Sequence, residues 1–272
     1  MRVAAALALA RAQGVDRLDA QLLLARRLDR PRSWLIAHDD EELPAAIERG
    51  FVDDVAQRAA GVPLAYLVGE REFRGLRFAV TPAVLVPRPD TELLVDWGLA
   101  IVAGRTAPRV LDLGTGSGAV AVSVAHARPD AAVTATDIDA DALVVAQRNA
   151  QANGVRIEWL LGSWWSPLPG RRFDLVLSNP PYIAGDDPHL PALAHEPRHA
   201  LSPGGDGLDA IRAICAGATR HLAPDGHLLI EHGFDQGPAV RALLSAAGFE
   251  SVKTRKDLAG HDRCSGGHWL GS

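Results

Sequence analysis

From Arg109 onward the sequence alternates short β-rich runs with helical ones, and no other feature constrains the fold as much. The runs "RVLDLG", "AVTATD", "RIEWLL", "FDLVLS", "GHLLIEHG" and "SVKTRKD" are separated by segments such as "DALVVAQRNAQANG" and "LDAIRAICAGATRHL". Strands joined by helices in series predict right-handed crossovers, hence an α/β domain whose mostly parallel sheet carries helices on both faces. Such sheets bind their ligands at the carboxyl ends of the strands.

Residues 1–70 read differently, as an N-terminal helical bundle. One helix ends near Gly14, and Asp16 caps a second in which Leu18, Leu22, Ala25 and Leu28 recur at helical spacing. Ser33 is expected to cap a short third helix. Pro44 opens a fourth through Ile47, Phe51, Val55 and Ala59 to Gly61. The bundle can be a stabilising cap or a partner-docking module. Residues 71–87 read as a hairpin-like linker, leaving 88–272 as the second domain.

Composition removes several function classes. The 272 residues carry a net charge of −5, and neither the segment before Pro87 nor the one after it has a basic excess, which argues against direct nucleic-acid binding by phosphate neutralisation. Cys215 and Cys264 form no Cys-x-x-Cys pair, so neither a disulfide framework nor a thiolate zinc site is expected, and a reducing cytoplasm is the natural compartment. The start "MRVAAALALARAQ" holds one Arg before a short apolar run that continues into an amphipathic pattern, which reads as a helix and not a leader. No run has the roughly 18 apolar residues of a membrane span.

The first β-run leads into "DLGTGSG", Asp112 to Gly118, which opens a helix. Gly114, Gly116 and Gly118 allow close backbone approach, and the helix start offers free N–H groups. The spacing is Gly-x-Gly-x-Gly, not the Gly-x-Gly-x-x-Gly dinucleotide fingerprint, so a nicotinamide oxidoreductase loses ground. Asp137 ends the next run, where a carboxylate can accept both hydroxyls of an adenosine ribose; the alternative is a cap for the helix that follows, a task open to Asp139.

"NPPY", residues 179–182, follows "FDLVLS" and therefore shares the rim with the glycine loop. It is either a turn that stops a strand or a clamp for an –NH2 group. In the clamp, the Asn179 side-chain oxygen and the Pro180 carbonyl accept two N–H bonds, Pro180 and Pro181 stiffen the acceptors, and the Tyr182 ring stacks on the planar group. An amide nitrogen is a poor nucleophile, and holding it about 3 Å from an electrophilic methyl is catalysis by alignment. S-adenosyl-L-methionine is the methyl donor that fits, and no metal is required.

The chain resembles the release-factor glutamine methyltransferase (HemK/PrmC) family in "PLAYLVGEREFRGLRFAVTPAVLVPRPDTELLV", "VLDLGTGSGAVAVSVA", "AQRNAQANG", "VLSNPPYI", "EPRHAL" and "GGDGLDAIRAI", in that order. "NPPY" alone is shared with DNA adenine methyltransferases; "VPRPDTE" and "EPRHAL" are more telling. The resemblance implies a class I, Rossmann-like methyltransferase domain at 88–272 and an N-terminal domain that docks class-one peptide chain release factors, whose Gly-Gly-Gln glutamine is the substrate. It implies cofactor contacts at Gly114, Thr115, Gly116, Ser117, Gly118, Asp137, Trp164 and Asn179. Asn179, Pro180, Pro181 and Tyr182 would hold the glutamine, with Arg88, Pro89 and Glu92 shaping the cleft floor or forming a domain-junction ion pair. It also implies protein methylation in translation termination, and nothing in the sequence demands more than a monomer. Ser163 stands where relatives often carry an acid, which leaves the adenine-amine contact open, and the tail "AGHDRCSGGHWLGS" keeps Arg263 but departs from the usual ending.

Other features favour structural roles. His189, His195 and His199 lie among prolines without a cysteine, which reads as a surface loop and not a metal site. Glu231 and His232 read as a strand terminus, and Trp159 and Trp165 as packing. The competing functions are a ribosomal-protein glutamine methyltransferase, a DNA adenine N6-methyltransferase, which would need a basic and aromatic recognition surface, and a non-catalytic adenosine sensor.

Overall fold

The computed structural model describes residues 1–271 and divides into two compact units, Met1–Glu70 and Arg71–Ser272. The first contains α1 (Val3–Ala12), α2 (Arg17–Leu28), α3 (Arg32–Ala37), α4 (Ala45–Ala59) and α5 (Leu64–Val68). Asp16 caps α2 by accepting the Leu18 N–H at 2.7 Å. Ser33 lies inside α3, whose N-cap is Pro31 without a side-chain bond. The buried face of α2 is also not the expected stripe: Leu23 and Leu24 are buried, while Leu18 is 45% and Leu22 36% exposed. Phe51 and Val55 of α4 complete this core, beside Asp54, which receives both Arg27 Nε and Nη2 at 2.6 and 2.7 Å.

The second unit opens with a hairpin, β1 (Glu70–Phe73) and β2 (Leu76–Ala79). The segment read as a linker thus clusters with the larger unit, because Phe73 and Phe78 meet edge to face and are buried in its core. After a 3-10 turn at Pro89–Thr91 come α6 (Glu92–Ile101), β3 (Arg109–Leu113), α7 (Ala119–Ala127), β4 (Ala132–Asp137), α8 (Ala140–Ala152), β5 (Glu158–Leu161) and β6 (Phe173–Ser178). The chain ends with α9 (Arg198–Leu201), α10 (Asp209–His221), β7 (Leu222–Glu231), α11 (Gly237–Ala246), β8 (Glu250–Lys256) and β9 (Asp262–Trp269).

The sheet order is β5-β4-β3-β6-β7-β9-β8. Neighbours from β5 to β7 are parallel, and β9 is antiparallel to both β7 and β8. The tail read only as structural is thus the strand β9, inserted beside β7. Side chains alternate between the two faces at the period of a strand. Val110, Leu175, Leu177 and Leu229 join α6 and α7 in one core; Leu111, Leu113, Val176, Leu228 and Ile230 join α10 and α11 in the other. Connections diverge to opposite sides between β3 and β6, which creates the crevice where an open α/β sheet binds ligands. Ser178 Oγ donates to the Leu113 carbonyl at 2.8 Å and ties the two strand ends at that crevice.

Candidate active site

A cavity of about 440 Å³ occupies the crevice and is lined by Gly114 to Ser117, Asp112, Asp137, Trp164, Asn179, Pro181, Arg88 and Thr91, among others. The glycine loop is fixed by two strand-end carboxylates. Asp112 Oδ2 accepts the Thr115 hydroxyl at 2.6 Å and the Ala121 N–H at 3.2 Å; Asp137 accepts Gly116 N–H at 2.8 Å and Asp139 N–H at 3.0 Å. Burial pushes the Asp112 carboxyl up to about 7, against the Thr115 and Ala121 hydrogen bonds. Burial also raises Asp137, opposed by its two backbone N–H bonds. Asp139, not Asp137, caps α8 through Asp141 and Ala142.

The predicted loop residues do not all face the cavity. Gly118 is absent from the lining, because α7 starts so close to α8 that a Cβ at Gly118 would stand 3.1 Å from Ala146 Cβ. Gly116, at φ +54, has open space where a Cβ would be. Ser117 lines the cavity and its carbonyl accepts Asn149 Nδ2 at 2.8 Å. The Trp164 ring lies 3.4 Å from a Cβ built on Gly114, and exposed Ser163 shares the lining.

The "NPPY" residues divide likewise. Asn179 and Pro181 line the cavity, and Asn179 Nδ2 donates to Thr91 Oγ1 at 3.0 Å. Pro180 is buried. Tyr182, expected to stack on substrate, lies outside the lining: its ring packs against the α10 and α11 core and its hydroxyl donates to Glu231 Oε1 at 3.4 Å. Burial and the Glu231 charge raise the Tyr182 phenol. Its carbonyl accepts Gln236 Nε2 at 2.9 Å.

Arg88 lines the cavity and pairs with buried Glu196, which also accepts the Val86 N–H at 3.0 Å; both partners lie in the second unit, so the pair is not the expected one at the domain junction. Pro89 starts the 3-10 turn that carries Thr91. Glu92, expected at the substrate, instead accepts the Arg74 N–H at 3.0 Å and secures the β1–β2 turn, outside the cavity. His199 lines the cavity and lies 3.4 Å from Asp139, while His189 pairs with Asp187. No group of three or more His, Cys, Asp or Glu side chains among the described residues is placed to hold a metal ion.

Sequence reasoning missed Asp112, Thr91 and Glu196, read His199 only as part of a surface loop, and set Glu231 aside. Asp112 and Glu231 had one legible signal, an acid at a core-facing parity within an apolar strand.

Residues 2–69 match the PrmC N-terminal domain model and residues 91–208 the Methyltransferase small domain model. A release factor glutamine methyltransferase from Bordetella pertussis is 53% identical over 94% of this chain and 96% of its own length. The chain belongs to the release factor glutamine methyltransferase family. Another member, from Burkholderia pseudomallei, is 51% identical over 98% of this chain and 97% of its own length. The 16S rRNA N2 G1207 methyltransferase of T. Thermophilus, solved with AdoMet and guanosine, superposes with a TM-score of 0.56 at 21% identity, covering 74% of this chain and 49% of that one. At that identity the likeness concerns the class I methyltransferase fold. The segment "VPRPDTE" supplies Arg88 and Thr91 to the cavity wall, and "EPRHAL" supplies His199 to it and Glu196 as the partner of Arg88.

Proposed function

We propose that the protein transfers a methyl group from S-adenosyl-L-methionine to the side-chain amide nitrogen of the glutamine in the Gly-Gly-Gln motif of class-one peptide chain release factors. The observation that carries this reading is one cavity joining the glycine loop and Asp137 to Asn179, with Arg88 and Thr91 in its wall. The residues present suit the cofactor. Gly116 leaves room at the loop, and a carboxylate has about four acceptor sites, so Asp137 keeps capacity for ribose hydroxyls beyond its two N–H bonds. Trp164 offers a ring to the adenine, with Ser163 beside it where relatives often carry an acid.

When bound, S-adenosyl-L-methionine supplies a methyl on a sulfonium whose charge is lost as the carbon–nitrogen bond forms, after which the surplus proton on nitrogen leaves to water. The protein's part is alignment. Asn179 Oδ1 and the Pro180 carbonyl accept the two amide N–H bonds and so direct the nitrogen lone pair. Tyr182 supports that loop from behind in this conformation and would have to turn to stack on substrate. The unit Met1–Glu70 serves as the docking module for the release factor. In this reading the enzyme acts in the cytoplasm as a monomer and touches neither nucleic acid nor membrane directly.

The test supplies methyl-labelled cofactor with a release factor, the same factor with its motif Gln changed to Ala, DNA, and ribosomal RNA. Label is expected in the unaltered factor alone; label in DNA, or equal label in both factors, overturns the reading. Asn179→Ala should lower methyl transfer about a hundredfold or more while leaving cofactor affinity within a few-fold.

A further inference from the structure

The cavity wall is uneven in charge. Asp112, Asp137 and Asp209 bring three carboxylates to it, whereas Arg88 is its one Arg or Lys side chain among the described residues. A ligand that carries cations and a carboxylate therefore finds several partners for the former and few for the latter. In folds of this kind an anion is commonly received by a glycine loop and the helix start behind it. Here the donors of that loop are largely taken. The Gly114 and Thr115 N–H groups both donate to the Thr136 carbonyl at 2.9 Å, Gly118 N–H donates to the Thr115 carbonyl at 2.9 Å, and Gly116 N–H donates to Asp137 at 2.8 Å. Asp137 also sets a like charge against any carboxylate brought to the loop.

Arg88 is held in the opposite manner. Its Nη2 donates to one oxygen of Glu196 and the Val86 N–H to the other, and Glu196 is 6% exposed. A buried carboxylate braced in this way fixes the guanidinium. The Arg88 side chain is itself 40% exposed and lines the cavity, so N–H donors beyond the one given to Glu196 remain for a ligand. The Arg88 carbonyl accepts Thr91 N–H at 3.1 Å, and Thr91 Oγ1 accepts Asn179 Nδ2 at 3.0 Å, which puts Arg88 on the Asn179 side of the crevice. Asp137 ends β4, two strands away from β6 in the sheet order, a separation of about 10 Å. With the ribose at Asp137 and the sulfonium facing Asn179, the amino-acid end of the cofactor falls toward Arg88.

We infer that Arg88 binds the carboxylate at the amino-acid end of S-adenosyl-L-methionine, with Glu196 holding the guanidinium in place. This rests on the cofactor reading above and assigns Arg88 to the cofactor, not to the substrate glutamine. A guanidinium offers parallel N–H bonds to a carboxylate, which fix its orientation as well as its position. Anchored by the ribose at Asp137 and by the carboxylate at Arg88, the cofactor has little freedom to slide, and its methyl keeps one place relative to Asn179. S-adenosyl-L-homocysteine retains the same carboxylate, so Arg88 holds product and donor alike.

The test is calorimetric titration of the full chain, Arg88→Gln and Arg88→Lys with three ligands. These are S-adenosyl-L-methionine, S-adenosyl-L-homocysteine and decarboxylated S-adenosylmethionine, which keeps the amine and the sulfonium but has no carboxylate. Arg88→Gln removes the charge while leaving an N–H for Glu196. In the parent, S-adenosyl-L-methionine should bind at least about tenfold more tightly than its decarboxylated analogue, the scale of a hydrogen bond to a charged group. In Arg88→Gln that ratio should fall below about threefold, with the analogue itself bound within about threefold of the parent. S-adenosyl-L-homocysteine should weaken by the same factor as the donor. Arg88→Lys, which keeps a charge without the fork, should hold the ratio above about threefold. No discrimination in the parent, full discrimination in Arg88→Gln, or an equal loss of both ligands overturns the inference. So does an unchanged cofactor Kd in Arg88→Gln with a raised KM for the release factor, which would give the guanidinium to the protein substrate. A parent that binds none of the three ligands removes the cofactor reading itself; one that binds them without discrimination removes this inference alone.

Discussion

The glycine loop and the "NPPY" loop leave adjacent strands at the same crevice, yet they are held in opposite ways. The glycine loop is fixed by near neighbours: Asp112 binds Thr115 three residues on, and Asp137 binds Gly116 across one βαβ unit. The "NPPY" loop is fixed by remote ones. Asn179 leans on Thr91, Tyr182 on Glu231 and Gln236, and Gly207 packs beneath the Tyr182 carbonyl. The glycine loop has one support inside its own motif, Asp112, and the other one βαβ unit away, whereas the "NPPY" loop has none inside its motif. Damage to the second should therefore arise from positions far along the chain.

The largest effect that would sharpen this contrast is at Gly207. It sits at φ +79, and a Cβ there would collide with the Tyr182 carbonyl oxygen and stand 3.1 Å from Ala184 N. Both atoms are backbone, so the "NPPY" loop itself must move. Gly207→Ala is expected to cost about 1–3 kcal/mol of stability, seen as a lower Tm. It should also lower methyl transfer about a hundredfold, since a displacement near 1 Å is worth that much in alignment. Cofactor affinity, set at the other loop, should stay within about threefold. A parallel loss of cofactor binding would break the separation between the two loops.

An intermediate effect belongs to Asp112, the buried support of the glycine loop. Its carboxyl is raised to about 7 by burial, so it is largely protonated at pH 6 and ionised at pH 8. A cationic cofactor favours the ionised form, so binding should release a proton below pH 7. Affinity should climb about tenfold from pH 6 to pH 8 and flatten above that. Calorimetry in buffers of different ionisation enthalpy measures the released proton. Asp112→Asn should flatten the profile, and a slope surviving in that variant would assign the proton elsewhere, Asp137 being the next raised carboxyl.

The same contrast explains what was legible in the sequence. The parallel sheet, the glycine loop and Asp139 as a cap follow from local patterns, because period-2 runs, positive-φ residues and side-chain caps act within a few residues. The buried face of α2 was not legible, since Leu22, Leu23 and Leu24 are consecutive and offer two overlapping stripes; packing chose Leu23 and Leu24. Strand β9 was obscured by Gly266 and Gly267 and by the lack of β-branched residues in "DRCSGGHW". Those glycines are the reason it fits, because a Cβ on Gly266 would collide with Leu229 and one on Gly267 would come within 2.7 Å of Phe249. Tyr182 was assigned to substrate from its motif alone. Its observed partner, Glu231, is 49 residues away, and no local pattern carries that pairing.

The smallest effect tests the glycine loop against itself. Gly116 and Gly118 both have positive φ, at +54 and +81, so alanine costs each about 1–2 kcal/mol of backbone strain. Their surroundings differ. A methyl on Gly118 meets Ala146 of α8 at 3.1 Å, whereas one on Gly116 meets no protein atom within 4 Å and lies in the cavity wall. Gly118→Ala should therefore lose roughly 1 kcal/mol more stability than Gly116→Ala, read by denaturant midpoints. Gly116→Ala should instead weaken cofactor affinity about fivefold more than Gly118→Ala, because its methyl takes space that the ligand needs. If the two variants lose stability and affinity in the same ratio, the loop responds as a unit. The division of its glycines between helix packing and cofactor binding would then be wrong.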